Sequence, residues 1–403
     1  MRPILPEASI SRFAFRGFAA CSGIAFLLLL SSCGGGGGDT DPCSSCLEHQ
    51  LCDEETGVCV EPGLTGLEGT DLAPGIAGTW DDGEANVLVF DRIGSRFLFG
   101  AGHSDGEEWQ TAALADEPFP PPHRPRMAKV GSSDAPAFLA ETAPGQLSLL
   151  GRTEGVWTRQ PAGEFAGPLS DLAAASDSGL GFHACAGDVD RGLWYAGSGN
   201  GPLQWEPVAG NLPEGLPSTP CAVGVAGGQP LVLAALRPAG LASFWRDQDK
   251  AWQHAVIDAD AVPLALAVAP SENGLVTAWV DGLTGELRVA GGQGGQIDVT
   301  TPAAVSPELA ASCAVGLAAS PSGLVRLAFR DAGAGQLLLF GPQPSGMGWE
   351  PLASASQAAP LAFVLGFDSQ GIVAEAVGVE SASGSGPGPG IFKAIEFSQT
   401  IPN

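Results

Sequence analysis

The sequence predicts an all-β domain built from repeated short strands, and three observations lead to this prediction. Short apolar stretches recur along most of the 403 residues and lack the periodicity of an amphipathic helix. Glycine (58 residues) and proline (33 residues) separate these stretches, as turn residues do. The chain is nevertheless 44% hydrophobic, which indicates strands that bury a core rather than a disordered chain.

The strands recur in units of roughly 40–50 residues. The first strand of a unit consists of small apolar residues, as at 221–226, 264–269 and 313–318. A more strongly apolar second strand follows, with anchor residues at Leu88, Phe138, Leu193, Leu231, Leu275, Leu324 and Ile372. A hairpin with one acid, three residues and a glycine then leads into the third strand, and a glycine in the left-handed conformation would close it with least strain. It recurs at Glu141 to Gly145, Asp281 to Gly285 and Asp331 to Gly335.

A fourth strand often carries a tryptophan, at Trp109, Trp157, Trp205, Trp252 and Trp349, with Ile297 in the fifth unit. Four short strands per unit are typical of a β-propeller blade, whose small first strands crowd around a central channel. We expect seven blades, or six because the unit at 183–208 is short. Residues 75–403 resemble bacterial β-propellers of the sialidase-like or quinoprotein-like kind. The tryptophans are interpreted as packing between blades, with a carbohydrate-stacking surface as the alternative.

The sequence shows no catalytic constellation. The sialidase-like resemblance implies a tyrosine nucleophile with an acid partner and clustered arginines, but Tyr195 is the only tyrosine and is interpreted as a packed residue of a second strand. The histidines are scattered, with no metal-ligand spacing, so neither a metal site nor a cofactor is assigned. Asp281 and Asp331 are interpreted as solvated hairpin acids rather than calcium ligands.

Two further predictions concern side chains placed on innermost strands. His183 is interpreted as a core histidine, although it could face the channel. Cys185, Cys221 and Cys313 are expected to be buried thiols, and their odd number means that at least one cannot pair within the domain.

The N-terminus combines basic, apolar and small residues in a definite order. Arg12 and Arg16 precede an apolar run at 18–30, which is followed by Ser31, Ser32 and Cys33. This order resembles the leader and lipobox of a bacterial lipoprotein. Residues 1–32 are therefore expected to be a signal peptide, and the resemblance implies acylation of Cys33, with palmitate among the acyl groups. Gly34 stands where an aspartate would retain such a protein at the inner membrane, so the resemblance implies the outer membrane, on its periplasmic or surface side. Residues 33–42 would be a flexible tether.

A cysteine-rich module is expected at 43–60. Four cysteines, Cys43, Cys46, Cys52 and Cys59, lie close together in an exported segment, where two disulfides are expected and a zinc site is the alternative. Residues 61–74 would be a linker or a closing strand that pairs with the C-terminal strand at 391–397.

The net charge of the chain limits the kinds of molecule that it can bind. The formal net charge of −26 makes nucleic acid an unsuitable partner, and a membrane would have to be reached through the lipid anchor. The leading hypothesis is a non-catalytic, lipid-anchored binding or scaffold protein of the cell envelope that recognises a protein or a glycan. The alternatives are a propeller hydrolase or lyase acting on polysaccharide, and a purely structural envelope lipoprotein.

Overall fold

The computed structural model describes most of residues 72–399 and one short hairpin before them. The described ranges are 51–53, 58–60, 72–81, 84–103, 110–114, 126–130, 136–153, 156–176, 181–188, 192–197, 203–208, 216–226, 229–271, 274–293, 296–320, 322–343, 348–355, 360–367, 374–381, 390–395 and 397–399. Cys33, Cys43 and Cys46 lie outside these residues, as do the side chains of Cys52 and Cys59. In the hairpin β1 (Leu51–Asp53) and β2 (Val58–Val60), the backbones of Cys52 and Cys59 are paired.

The described residues form seven further sheets, and neighbouring strands within each sheet are antiparallel. The first contains β3 (Leu72–Asp81), β4 (Glu84–Asp91), β5 (Arg96–His103) and β6 (Gln110–Leu114). The second contains β7 (Met127–Lys129), β8 (Ala137–Ala143), β9 (Gln146–Thr153) and β10 (Val156–Glu164). The third contains β11 (Leu169–Ser176), β12 (Phe182–Asp188), β13 (Gly192–Gly197) and β14 (Glu206–Pro207). The fourth contains β15 (Leu216–Ala226), β16 (Gln229–Arg237), β17 (Leu241–Arg246) and β18 (Trp252–Asp258).

The fifth sheet contains β19 (Pro263–Ser271), β20 (Gly274–Asp281), β21 (Glu286–Gln293) and β22 (Gln296–Ala304). A 3-10 helix, Pro307–Ser312, leads into the sixth. That sheet contains β23 (Ala314–Ala319), β24 (Val325–Asp331), β25 (Gln336–Pro342) and β26 (Trp349–Ala355). The seventh contains β27 (Ala362–Phe367), β28 (Ala374–Ser381) and β29 (Gly390–Ile395), and β30 (Ser398–Gln399) returns to pair with β26.

The sheets form a closed ring. The first strand of each sheet contacts the first strand of the next, and β27 of the last sheet contacts β3 of the first. This arrangement confirms the prediction of an all-β propeller, and the small-residue stretches predicted as first strands lie on or next to the innermost strands β15, β19 and β23. Six sheets have the four strands of a complete blade. Six is the smaller of the two blade numbers expected from the sequence. The seventh has three strands among the described residues and closes the ring between the sixth and the first.

The first and last sheets meet through apolar side chains. Val377 and Val379 of β28 pack against Val87 and Val89 of β4, and all four are buried. Leu72 lies in the same cluster and begins β3, three residues before the expected boundary at 75. Of the expected linker or closing strand at 61–74, residues 72–74 lie in β3, which pairs with β4. Residues 61–71 lie outside the described residues, so their pairing with β29 stays a prediction.

The sequence analysis assigned the strands of the third unit one position too early. Its innermost strand is β11, so His183 lies on the second strand, and Leu193 and Tyr195 lie on the third. Strand β11 contains Asp171, which made this segment unlike the other first strands. The structure accommodates that carboxylate because it accepts hydrogen bonds from the backbone N–H of Cys221 (2.8 Å) and Leu172 (3.0 Å). Burial raises the pKa of Asp171, and these hydrogen bonds only partly offset that effect.

The acid-to-glycine hairpins form as predicted. Gly145, Gly285 and Gly335 have φ angles of 75°, 71° and 64°, in the left-handed region. These acids cap their turns, and Asp281 is buried rather than solvated: it is 1% exposed, and its Oδ1 accepts hydrogen bonds from the N–H of Leu283 and Thr284. Asp331 caps its turn in the same way but is only partly buried. Burial raises the pKa of Asp281, but the backbone N–H bonds from Thr284, Val262 and Leu283, together with Arg288, outweigh it, so the pKa is lowered overall.

Candidate functional site

The tryptophans of the fourth strands lie at the boundaries between sheets, as predicted. Trp157, Trp252 and Trp349 stand at or near the start of β10, β18 and β26, and Trp205 immediately precedes β14. Two of them contact the preceding sheet. The Trp157 ring centroid lies 4.9 Å from that of Phe99, and Trp205 Nε1 donates a hydrogen bond to the carbonyl of Ala162. The side chains of Trp109 and Ile297 lie outside the described residues.

One boundary, between the third and fourth sheets, brings together side chains of a different kind. From the third sheet come Tyr195 on β13 and Glu206 on β14, which are direct cross-strand partners. From the fourth sheet come Arg246 on β17 and Trp252 on β18, which are also direct cross-strand partners. These four residues and His183 are called the Tyr195–Trp252 cluster below.

Aromatic and charged groups of the cluster contact each other across the boundary. The Tyr195 and Trp252 rings meet edge to face with centroids 5.2 Å apart. The Arg246 guanidinium lies 5.1 Å from the Trp252 ring centroid and 5.9 Å from that of Tyr195, within the range of a cation–π interaction. Arg246 also forms an ion pair with Glu206. Two strand pairs from different sheets thus hold a cation, a carboxylate and two aromatic rings in one place.

The charged groups of the cluster remain accessible. The Arg246 side chain is 26% exposed and that of Glu206 is 40% exposed, while Trp252 is half-buried. The Nε of Arg246 is buried and meets no hydrogen-bond acceptor among the described residues. A terminal nitrogen of the guanidinium faces Glu206, and the side chain as a whole keeps contact with solvent.

Tyr195 forms the inner wall of the cluster. It is 6% exposed, which agrees with its interpretation as a packed residue, and its hydroxyl lies 2.6 Å from Nδ1 of His183. Gly197, the cross-strand partner of His183, leaves room for this contact. A Cβ at that position would lie 3.1 Å from the Tyr195 hydroxyl and 3.2 Å from His183 Nδ1. A larger residue there would require Tyr195 or His183 to shift by a few tenths of an ångström.

Two other boundaries have a related but simpler composition. Arg152 and Trp157 are cross-strand partners, as Arg246 and Trp252 are, and Phe99 occupies the position of Tyr195. At the sixth sheet, Trp349 faces Pro342 instead of an arginine. Only at the third and fourth sheets do the described residues combine tyrosine, histidine, arginine and a carboxylate with the tryptophan.

The sequence found the tryptophan of this cluster but not its arginine or its acid. A weak signal existed, because an arginine precedes the tryptophan by a short hairpin at both Arg152 and Arg246. Glu206 follows Trp205 in sequence, yet it pairs with Arg246, which lies over Trp252 of the next sheet. That relation depends on which sheets are neighbours, so it is not visible in a local pattern.

The inner cysteines differ from the prediction of buried thiols. Cys185 and Cys221 form a disulfide, with Cα atoms 6.6 Å apart. The sequence analysis placed both cysteines on innermost strands. Cys221 does lie on one, β15, but Cys185 lies on β12, a second strand, and the pairing was therefore not predicted. Cys313 is a free cysteine just before β23, and burial raises the pKa of its thiol.

Among the described residues, no group of three or more histidine, cysteine, aspartate or glutamate side chains could hold a metal ion. The same residues include no helix with the length and apolar character needed to cross a membrane.

Comparisons with known proteins identify the fold. No protein-family model matches the chain, and no curated protein matches it. Among solved structures, the chain is similar to the BP39L lectin from Burkholderia pseudomallei, with 16% identity, a TM-score of 0.58 and coverage of 81% of this chain and 99% of the lectin. It is also similar to the fucose-specific lectin from Aleuria aurantia (15% identity, TM-score 0.47, 71% and 97% coverage). A third structure is a 6-phosphogluconolactonase-like protein from Bacteroides fragilis (13% identity, TM-score 0.48, 83% and 96% coverage). The likeness to the first of these supports the propeller fold independently of the strand pattern.

Proposed function

We propose that the protein binds glycans, and that the Tyr195–Trp252 cluster is its binding site. The observation that carries this proposal is the meeting of Arg246, Glu206 and Trp252 on one partly exposed boundary between two sheets. A sugar needs both kinds of contact: its C–H face packs on an aromatic ring, and its hydroxyls exchange hydrogen bonds with charged groups. The likeness to a lectin of the same fold is consistent with this chemistry.

The arrangement suits a neutral or weakly charged sugar. Glu206 accepts and Arg246 donates, so a pair of adjacent hydroxyls can bridge the two groups. The existing ion pair balances the charge of the site, so a ligand needs no charge of its own. Both side chains keep contact with water, so a ligand can reach them.

Variants of the cluster test the proposal directly. We expect Trp252→Ala and Arg246→Ala each to weaken binding by about 2 kcal/mol, roughly thirtyfold in Kd, because each removes a central contact. The measurement is a glycan microarray with the soluble domain, followed by calorimetric titration of the monosaccharide that binds best. Trp349→Ala is the matched control, since Trp349 has the same strand position but faces Pro342.

Two results would contradict the proposal. One is a microarray on which the folded wild-type domain binds no glycan. The other is a loss of affinity in Trp349→Ala as large as in Trp252→Ala, which would indicate a general effect on the fold.

The location of the protein is part of the proposal. We infer that acylation of Cys33 anchors the chain to the outer membrane, supported by the basic, apolar and small-residue order that ends at this cysteine. We expect Cys33→Ala to move the protein from the membrane fraction to the soluble fraction, because a chain with a net charge of −26 is repelled by anionic lipid and needs a covalent anchor. Immunoblotting of fractionated cells measures this, with Cys21→Ala, a change within the leader, as the control. Unchanged membrane association of Cys33→Ala would disprove the anchor.

A further inference from the structure

The disulfide joins the same two sheets that form the Tyr195–Trp252 cluster. Cys185 lies on β12 of the third sheet and Cys221 on β15 of the fourth, 36 residues apart in sequence. Both residues are buried, at 0% and 3% exposure. The bond is therefore a covalent link across one particular boundary of the ring.

The disulfide lies directly behind the aromatic wall of the cluster. Cys185 is the cross-strand partner of Tyr195, and both cysteines belong to the same apolar cluster as Tyr195, with Trp252 packed against it. The Asp171 carboxylate of the third sheet also accepts a hydrogen bond from the N–H of Cys221. Two links, one covalent and one polar, thus fix β15 against the third sheet behind the site.

The boundary between the first and second sheets provides an internal comparison. There Leu88 is the cross-strand partner of Phe99, as Cys185 is of Tyr195. Leu88 packs in an apolar cluster with Phe138 and Trp157, without a covalent link. Apolar packing is thus sufficient to close a boundary of this propeller, so the disulfide does more than the ring itself requires.

We propose that the Cys185–Cys221 disulfide is a positioning element for ligand binding by the Tyr195–Trp252 cluster. The inference rests on the proposed function. The ligand must contact Glu206 from one sheet and Arg246 and Trp252 from the other, so its affinity depends on the distance between the two sheets. A link that holds this distance before binding lowers the cost of ordering the site.

The test compares the double variant Cys185→Ala/Cys221→Ala with wild type in two measurements. The first is the Kd for the best monosaccharide, which we expect to rise about tenfold. The second needs no ligand: acetylation of Tyr195, the only tyrosine of the chain, by N-acetylimidazole, followed by peptide mass spectrometry. Tyr195 is 6% exposed in the linked state, and we expect faster acetylation when the sheets are no longer linked.

Leu88→Ala is the matched control. It shortens a buried side chain at the corresponding position of another boundary, so it lowers stability without touching the cluster. We expect Leu88→Ala to leave both the Kd and the acetylation of Tyr195 unchanged. Equal effects in Leu88→Ala and in the double variant would overturn the inference, because loss of stability would then explain both.

The other possible outcomes also test the inference. Unchanged Kd and unchanged acetylation in the double variant overturn the inference. If wild type binds no glycan, the proposed function fails, and acetylation alone decides whether the disulfide holds the two sheets together. If the double variant is unfolded by circular dichroism, Cys185→Val/Cys221→Ala, which retains more volume, takes its place. Unfolding of that variant too would overturn the inference, since the bond would then serve the fold as a whole.

Discussion

Trp279→Ala should lower the free energy of unfolding by about 4 kcal/mol, the largest change expected from a single substitution in this chain. Trp279 is 0% exposed and is among the largest fully buried side chains of the described residues. It lies on β20 of the fifth sheet and packs with Leu241 and Ala261 of the preceding sheet and its connection. Removing the indole leaves a cavity at the boundary of two sheets, which neither sheet can fill by a small shift.

Trp279→Phe separates the packing of this residue from its polar group. The indole Nε1 is buried and meets no hydrogen-bond acceptor among the described residues, so replacement by phenylalanine breaks no hydrogen bond. We expect a cost of only about 1 kcal/mol for this change. Urea denaturation followed by circular dichroism measures both variants. If Trp279→Ala cost no more than Trp349→Ala, a change at a half-buried tryptophan, the packing argument would be wrong.

Glu141→Ala should cost about 3 kcal/mol for a different reason, namely the loss of a buried acceptor. Glu141 is 4% exposed, and its Oε1 accepts hydrogen bonds of 2.9 Å from the N–H of Gly145 and from the N–H of Leu169. Gly145 belongs to the turn of the second sheet, whereas Leu169 begins the innermost strand of the third. The substitution therefore leaves two N–H groups without this acceptor and removes a polar link between two sheets.

Glu141→Gln is the matched control for the charge. Glutamine retains the acceptor oxygen, and the other carboxylate oxygen, Oε2, has no hydrogen-bond partner among the described residues. Replacing it also removes the cost of burying a charge. We expect the unfolding free energy of Glu141→Gln to stay within about 1 kcal/mol of wild type. Equal losses in both variants would show that the charge, and not the acceptor, stabilises this link.

Local patterns allowed much of the fold to be predicted. The hairpin glycines follow from backbone conformation alone, and the tryptophans from their repeated position, so both were recognised without a structure. The third unit was misaligned because Asp171 interrupts its first strand, and the interaction that tolerates this acid comes from another sheet. The sequence gives no local sign of that compensation.

The candidate site was harder to predict because every important contact crosses a sheet boundary. Glu206 and Arg246 are 40 residues apart in the numbering and meet only because the ring places the third and fourth sheets side by side. The same holds for Cys185 and Cys221, whose pairing depends on one lying on a second strand and the other on a first strand. A prediction of such pairs needs both the correct strand order and the correct register of two sheets.

The alternating direction of the strands gives the molecule two unlike faces. Every innermost strand begins on one face, and the third and fourth strands that carry Arg246 and Trp252 meet at a turn on the other. The chain enters the ring at Leu72, at the beginning of an innermost strand. If the proposed tether at 33–42 anchors the chain, it therefore leads to the face opposite the Arg246–Trp252 turn. In a layer of such molecules fixed to a surface, the turns that carry these two residues would all point outward, so a branched or repeated ligand could engage several neighbouring molecules at once and gain residence time through avidity.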